Sequence, residues 1–368
     1  MYSFMPRSPF VQWTARHGSS AGGSAFCTPA PGRAVAAPQV IGYARRHSKP
    51  SHFHLMSLRA AIAASMAYDT IMVFEGQFTD HILPDQIHKI NLSFLSPRMR
   101  REYGGCAGNI AYNFKLVGGE PVPIGMVGDD FGPYFEHYGR WGIDASCLVT
   151  AKDSYTAQCF IVTDLHNNQL AGFHPGAMGL SAQIPVSQAG TVACGLVGPD
   201  AKDAMQLHTQ QMAAAGVPFI LDPGQNILLF SGPELLEMID QAPVLVCNDY
   251  EAELIADKTG LSLEQLATRV KTLIVTRGAE GSWVHQDGQR HAVAPVPAVD
   301  VKDPTGCGDA YRAGLLLALA KGLPLMQGAQ LGSVLGSIKI AVQGCQNHKP
   351  SLGEIRASYE RHYGDWPF

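Results

Sequence analysis

No run of 18 consecutive apolar residues occurs in this 368-residue chain, which argues against a membrane-spanning helix. Its eight cysteines include no Cys-x-x-Cys pair and no histidine partner at metal spacing, so neither a disulfide framework nor a zinc site is expected. Most of these thiols fall in apolar runs and read as buried groups of a reducing, cytoplasmic compartment. Gly-x-x-x-x-Gly-Lys-Ser/Thr, the commonest phosphate loop, is missing. Gly306-Cys307-Gly308 lacks the third glycine of a dinucleotide fingerprint, because Tyr311 stands in its place. Charge is sparse at 16% of residues, the net is −4, and no basic stripe marks a nucleic-acid surface.

Acid is absent from residues 1–68, and Asp69 is the first. The leader carries six Arg and one Lys and is rich in Ser, Pro, Gly and Ala without helical or strand period. Such a composition buries too little apolar surface to fold. Residues 1–66 are therefore expected to be a disordered leader, with the folded domain spanning 67–365. An Arg- and Ser-rich, acid-free leader also matches an organellar transit peptide, and Met56 or Met66 offers a later start. Removing its seven basic residues from the chain's 27 leaves 20 against 31 acids, a balance near −11 for the remainder.

The most informative run is Asp-Pro-Thr-Gly-Cys-Gly-Asp-Ala-Tyr-Arg-Ala-Gly at 303–314. Small residues at Gly306, Cys307 and Gly308 open an apolar helix expected to reach Lys321. The first turn of a helix presents N–H groups without intrahelical partners, and the peptide dipoles add positive potential. Glycines let an anion approach that backbone closely, so the segment reads as a phosphate cradle. An acid at its lip, Asp309, would repel phosphate unless a hydroxyl proton lay between them. That is the arrangement of a phosphotransferase, with donor phosphate on the N–H groups and acceptor hydroxyl on the acid.

From about residue 119, short apolar runs alternate with amphipathic stretches. Val122–Val127, Val192–Val197, Pro218–Leu221, Val244–Cys247 and Leu273–Val275 read as strands buried on both faces. Tyr134–Trp141, Ala201–Ala215, Pro233–Gln241, Tyr250–Lys258 and Leu263–Thr272 read as helices. The alternation predicts an α/β fold with a mostly parallel sheet wrapped by helices. A hairpin across Asp287-Gly288 follows, then helices at Gly308–Lys321, Leu325–Val342 and Ser351–Arg361. Residues 69–103 begin as a strand and turn polar and aromatic, while 155–174 alternate like exposed strands.

The 303–314 run resembles the signature of the ribokinase-like (PfkB) carbohydrate and nucleoside kinases. Gly-Gln-Phe-Thr-Asp-His (76–81), Gly-Gly-Cys-Ala-Gly-Asn (104–109), Phe-His-Pro-Gly-Ala-Met (173–178), Asp-Pro-Gly-Gln (222–225) and Asn-Asp-Tyr-Glu (248–251) extend the likeness over nearly all of the chain after Tyr68. The first, third and last of these look like the bacterial adenosine kinase branch. The resemblance implies a three-layer α/β/α domain with a small β-lid built from about 69–103 and 155–174. It implies ATP with Mg2+, a potassium ion beside loops near Asp300 or Asp303, and a dimer through the lid. The activity implied is phosphorylation of the adenosine 5′-hydroxyl to AMP. A broader nucleoside kinase (inosine, guanosine), a ribose or fructose kinase and a non-catalytic nucleotide-binding regulator stay open.

On this resemblance Asp309 is the general base, and the N–H groups of Gly306, Cys307 and Gly308 stabilise the transferring phosphoryl. Asp80 would accept both hydroxyls of a ribose diol, Gly104 and Gly105 admit the sugar, and Asn109 hydrogen-bonds it. Phe173, Gln225 and Asn226 would contact the base, although the family pattern has a Gln pair where this chain has Gln225-Asn226. Asn248 and Glu251 are expected to help place magnesium and phosphate, and their spacing equally suits a helix capping box. Thr276, Gly278 and Gly281 resemble the nucleotide-side loop, and Gly344 lies in the loop near adenine. Cys307, at a helix N-terminus, is expected to be an acidic, alkylatable thiol.

Overall fold

The protein is described by a computed structural model that covers residues 58–81, 92–166 and 168–368. Its strands, in chain order, begin with β1 (Arg59–Ala63), β2 (Ala67–Val73), β3 (Arg98–Gly104), β4 (Glu120–Val127), β5 (Leu148–Thr150), β6 (Ala157–Thr163) and β7 (Gln169–His174). They continue with β8 (Cys194–Val197), β9 (Phe219–Leu221), β10 (Val244–Asn248), β11 (Thr272–Thr276), β12 (Ser282–Gln286) and β13 (Gln289–Val293). The helices are α1 (Cys106–Leu116), α2 (Gly132–Trp141), α3 (Lys202–Ala214), α4 (Gly232–Gln241), α5 (Asp249–Thr259), α6 (Leu263–Ala267), α7 (Cys307–Ala320), α8 (Leu325–Ile340) and α9 (Leu352–Tyr363).

Nine strands form one sheet in the order β13-β12-β11-β10-β9-β8-β1-β4-β5. All neighbours are parallel except the closing hairpin, where β11–β12 and β12–β13 run antiparallel. Successive residues of a strand face opposite sides, and β1 shows this directly. Ala60 and Ile62 enter a core with α1, α2, α7, α8 and α9, while Ala61 and Ala63 enter one with α3, α4, α5 and α6. Three layers result, as expected. The chain leaves β1 towards β4 and later returns on its other side at β8, so the crevice at the strand ends beside β1 is a topological switch point.

Two boundaries differ from the sequence expectation. The central strand β1 lies inside the segment assigned to a leader, so the fold extends at least back to Leu58 and does not start at 67; residues 1–57 lie outside the described residues. Arg-Ala-Ala-Ile-Ala has little strand propensity, and burial on both faces overrides it. The helix expected over Leu263–Thr272 stops at Ala267, because Thr272 already pairs with Val244 as the first residue of β11.

A second sheet, β3-β2-β6-β7, forms the lid. Residues 155–174 are thus no separate hairpin, since β6 pairs with β2 along its full length. Asp130 fixes the lid's base, accepting from Thr156 N–H (2.8 Å), Arg101 (2.7 Å) and Gln158 (3.1 Å). The face of the lid opposite Asp69 exposes Met99, Phe160 and Leu170.

Helix α7 is nearly all apolar, and Leu315, Leu316 and Leu317 are fully buried, each contributing about 1.5–3 kcal/mol. It packs on α8 with almost no gap: a Cβ on Gly314 would lie 2.4 Å from the Gly332 nitrogen. That contact locks the cradle helix to the helix that carries Lys339.

Candidate active site

At the start of α7 the backbone turns sharply. Asp303 accepts the Thr305 N–H at 3.0 Å, and Gly306 adopts φ +76°, a conformation that favours glycine. Among the described residues no main-chain carbonyl accepts from the N–H of Gly306 or Gly308. The Cys307 N–H, by contrast, is turned onto the Pro304 carbonyl at 3.2 Å, so it is not one of the free donors the sequence suggested.

Asp309 sits in the first turn of α7, and four groups define its state. Burial pushes its carboxyl up to about 6; the Asn109 amide and the Arg312 charge pull it down, Asp222 pushes it up, and Cys106 donates to it. Its carboxylate Oδ2 accepts from Asn109 Nδ2 at 2.8 Å. Asn109, from the first turn of α1, is held in turn by Gln346, whose Nε2 donates to its Oδ1 at 3.0 Å and to the Tyr134 hydroxyl at 2.6 Å. Gln346 Oε1 meets His137 Nε2 at 3.0 Å. This fixes the amide so that its N–H points at Asp309. Asn109 therefore positions the acid, a contact the sequence reading did not include.

Arg312, one turn along α7, is buried and forms a two-pronged pair with Asp222 at the end of β9, at 2.8 and 3.2 Å. Glu251 and Asp309 also lie within its electrostatic reach. One carboxylate is paired to the guanidinium, and two more feel its charge. Glu251 is pushed up by burial and by Asp222, against the pull of Arg312. Asn248 and Glu251 make a complete capping box: Asn248 Oδ1 accepts the Glu251 N–H at 2.7 Å and Glu251 Oε2 accepts the Asn248 N–H at 2.8 Å. The box holds the Glu251 carboxylate at the strand end facing the Arg312 pair.

Two acids of the lid segment stand in different surroundings. Asp80 lies in an exposed turn, Phe78–Asp80. Asp69, in mid-β2, is 5% exposed on the cleft face of the lid. A Cβ on Gly104 would lie 2.5 Å from Asp69 Oδ2, so Gly104 makes room for that carboxylate. Gly105 likewise abuts the chain itself, where a Cβ would meet Ser65 O and Ala67 N at 2.5 Å. Asp69 is in register with Cys159, and Cys159 with Phe173, so all three share one face. Phe173 is half-buried against Ala67, Ala157 and Met178. Burial pushes the Cys345 thiol well up, the charges of Asp69 and Asp309 add to it, and Lys339 opposes them. Cys345 itself packs on Gly306, with Sγ 3.0 Å from where a Cβ would stand.

Other expected positions are placed as follows. Gln225 is half-buried in the turn after β9, while Asn226 donates to the Asp200 carbonyl at 2.6 Å. Thr276 donates to the Cys247 carbonyl at 3.4 Å. Gly281 is required by the hairpin, since a Cβ there would lie 2.1 Å from Val293 O, whereas Gly278 borders open space. The Gly344 N–H donates to Asp303 Oδ2 at 2.9 Å. Cys307 is the clearest chemical correction: burial pushes its thiol up to about 11, with Asp303 and Asp309 adding and Lys339 opposing. The helix N-terminus does not overcome that desolvation, so an acidic thiol is not formed.

Asp69 left a signal that went unread, being the one acid in the run Met-Ala-Tyr-Asp-Thr-Ile-Met-Val. Arg312 and Gln346 left none, because their partners lie 90 and 237 residues away.

Among the described residues no helix is long and apolar enough to cross a membrane. The model of the pfkB family of carbohydrate kinases matches residues 67–352. The nucleoside kinase of Methanocaldococcus jannaschii is 30% identical over 274 residues, 74% of this chain and 90% of that protein. The solved Burkholderia thailandensis nucleoside kinase in complex with inosine superposes with a TM-score of 0.76 at 44% identity, covering 83% of this chain and 98% of that one. The M. jannaschii nucleoside kinase structure, described as an archaeal member of the ribokinase family, gives a TM-score of 0.75 at 26% identity over 83% of this chain and 99% of that one. The fold is ribokinase-like, and the chain belongs to the pfkB family of carbohydrate kinases.

Proposed function

We propose that this protein transfers the γ-phosphate of ATP to the 5′-hydroxyl of nucleosides, accepting inosine and guanosine as well as adenosine. The observation that carries this reading is Asp309: a half-buried acid with its pKa brought near 6, fixed by Asn109 beside the free N–H groups of α7. A base poised below operating pH is ionised and ready to take a hydroxyl proton. The N–H groups of Gly306 and Gly308 would stabilise charge on the transferring phosphoryl.

Asp69 is the group we assign to the ribose diol, since one carboxylate accepts two adjacent hydroxyls and this one lies buried on the lid's cleft face. Phe173, in the same row, offers a flat apolar surface to a base. The Asn226 amide is engaged by the Asp200 carbonyl, which would weaken one of the two amides expected to read adenine. That weakening, together with the names of the similar proteins, favours the broad nucleoside reading over adenosine alone.

The donor set also fits magnesium arriving with the nucleotide. Asp222, Glu251 and Asp309 outnumber Arg312, leaving excess negative charge that would repel ATP unless a cation travelled with it. Magnesium is usually held by one or two carboxylates, waters and phosphates. Glu251 is the residue placed to hold it, and when bound the ion would neutralise charge on the phosphates.

The test is ADP release measured with adenosine, inosine, guanosine, ribose and fructose. Turnover on at least two nucleosides, with the free sugars far poorer, is expected. A preference for ribose or fructose would defeat the proposal, as would absence of turnover on every acceptor. Gln346→Leu should reduce nucleoside turnover about tenfold or more by loosening the amide that aims at Asp309. It should also move the pH midpoint of turnover upward, because the Asn109 hydrogen bond lowers the Asp309 pKa. Unchanged turnover and midpoint would remove Gln346 from the mechanism.

A further inference from the structure

Lys339 is 0% exposed, an unusual place for an ammonium, and no step above uses it. It lies in the last turn of α8, and its Nζ donates to the main-chain carbonyl of Asp303 at 2.7 Å and to that of Val342 at 3.4 Å. The Asp303 carboxylate stands 3.8 Å away. Two main-chain carbonyls and a carboxylate are the oxygen donors a bare monovalent cation takes. An ammonium and a potassium ion are close in size and equal in charge.

What the ammonium joins is as telling. Asp303 opens the turn that presents Gly306 and Asp309, and Lys302 and Asp303 N–H both donate to Ile340 O. Asp303 Oδ2 accepts the Gly344 N–H, and the chain runs on to Cys345 against Gly306 and to Gln346 on Asn109. The positive charge thus ties the cradle turn to the loop that orients the acid. Burial opposes ionisation of Asp303, but the Gly344 N–H and the Lys339 charge prevail and hold it below the usual carboxylate range.

The family resemblance implied a potassium ion beside Asp303, and the residues present do not leave that place to an ion. We propose that Lys339 is a built-in monovalent cation, so that cradle order and phosphotransfer need no added potassium, and that shortening this side chain creates a potassium requirement. The activity part of this proposal rests on the nucleoside kinase reading; the cation part does not.

Two readouts at fixed ionic strength separate the parts: nucleoside turnover, and thermal melting of the full chain without substrate. Wild type should turn over equally in choline and potassium chloride, and potassium should leave its melting temperature in place. Lys339→Ala should lose about 10–100-fold in turnover in choline through misplacement of Asp309. Potassium or ammonium should restore most of that loss saturably and raise the variant's melting temperature, whereas lithium should not. Lys339→Met, which fills the space without charge, should lose activity and resist rescue. Marked potassium activation or stabilisation of wild type overturns the proposal, even if neither variant folds. So does a folded Lys339→Ala that is fully active in choline, or one that potassium neither reactivates nor stabilises. If no nucleoside is phosphorylated, the melting arm alone still decides whether the cation site is occupied by Lys339.

Discussion

Asp309→Asn is expected to lower nucleoside turnover by ~10²–10⁴-fold, the range in which a positioned base contributes. Nucleotide affinity should be largely kept, because the free N–H groups at the start of α7 belong to the backbone and the substitution is isosteric. The remaining contacts support this split. Asn109 donates to the Oδ2 that Asn would replace by either an oxygen or an NH2, so the cradle stays in place while the proton acceptor is lost. Isothermal titration with a non-hydrolysable ATP analogue and steady-state turnover measure the two quantities separately. Parallel losses in both would mean that Asp309 shapes the phosphate site and does not act as a base.

Arg312→Met should produce the largest loss of stability. Asp222 and Arg312 are both 6% exposed, and removing one partner strands the other as a buried charge. Breaking such a pair costs about 3–5 kcal/mol. Equilibrium urea unfolding should register that cost. A second consequence is kinetic, since the Arg312 charge lowers the Asp309 pKa. Without it, the acid limb of the pH–rate profile should move to higher pH in whatever fraction of the variant folds. Adding Asp222→Asn should return stability by removing the stranded carboxylate. It should also bring the pH midpoint partly back, because Asp222 pushes Asp309 in the opposite direction to Arg312. An unfolding free energy equal to wild type would mean that the pair is solvated and not buried.

Sequence alone conveys the cradle well, for a local reason. Gly306, Gly308 and Asp309 act through backbone and first-turn positions that a dozen consecutive residues determine. The parallel strands were legible for the same reason: runs such as Leu-Val-Cys at 245–247 are apolar on both faces. Distance in the chain defeats the reading. Asp80 and Asp69 are both acids of the lid segment, and only the pairing of β2 with β3 and β6 shows that Asp69 lies buried within a sheet. Asn109 meets Asp309 across 200 residues, so a sugar contact and a positioning contact looked alike in sequence. The Cys307 thiol illustrates competing effects, where a helix terminus favours the thiolate and burial wins. Arg312 and Lys339 carry no local sign of burial in sequence, because only the packing of α7 and α8 encloses them.

The most direct test is the pH dependence of nucleoside turnover in wild type. A single ionisation near pH 6 should govern the acid limb, with turnover rising as Asp309 loses its proton and level above about pH 7. That limb should vanish from the residual activity of Asp309→Asn. If the limb persists unchanged in the variant, another group carries the proton and the role assigned to Asp309 is wrong.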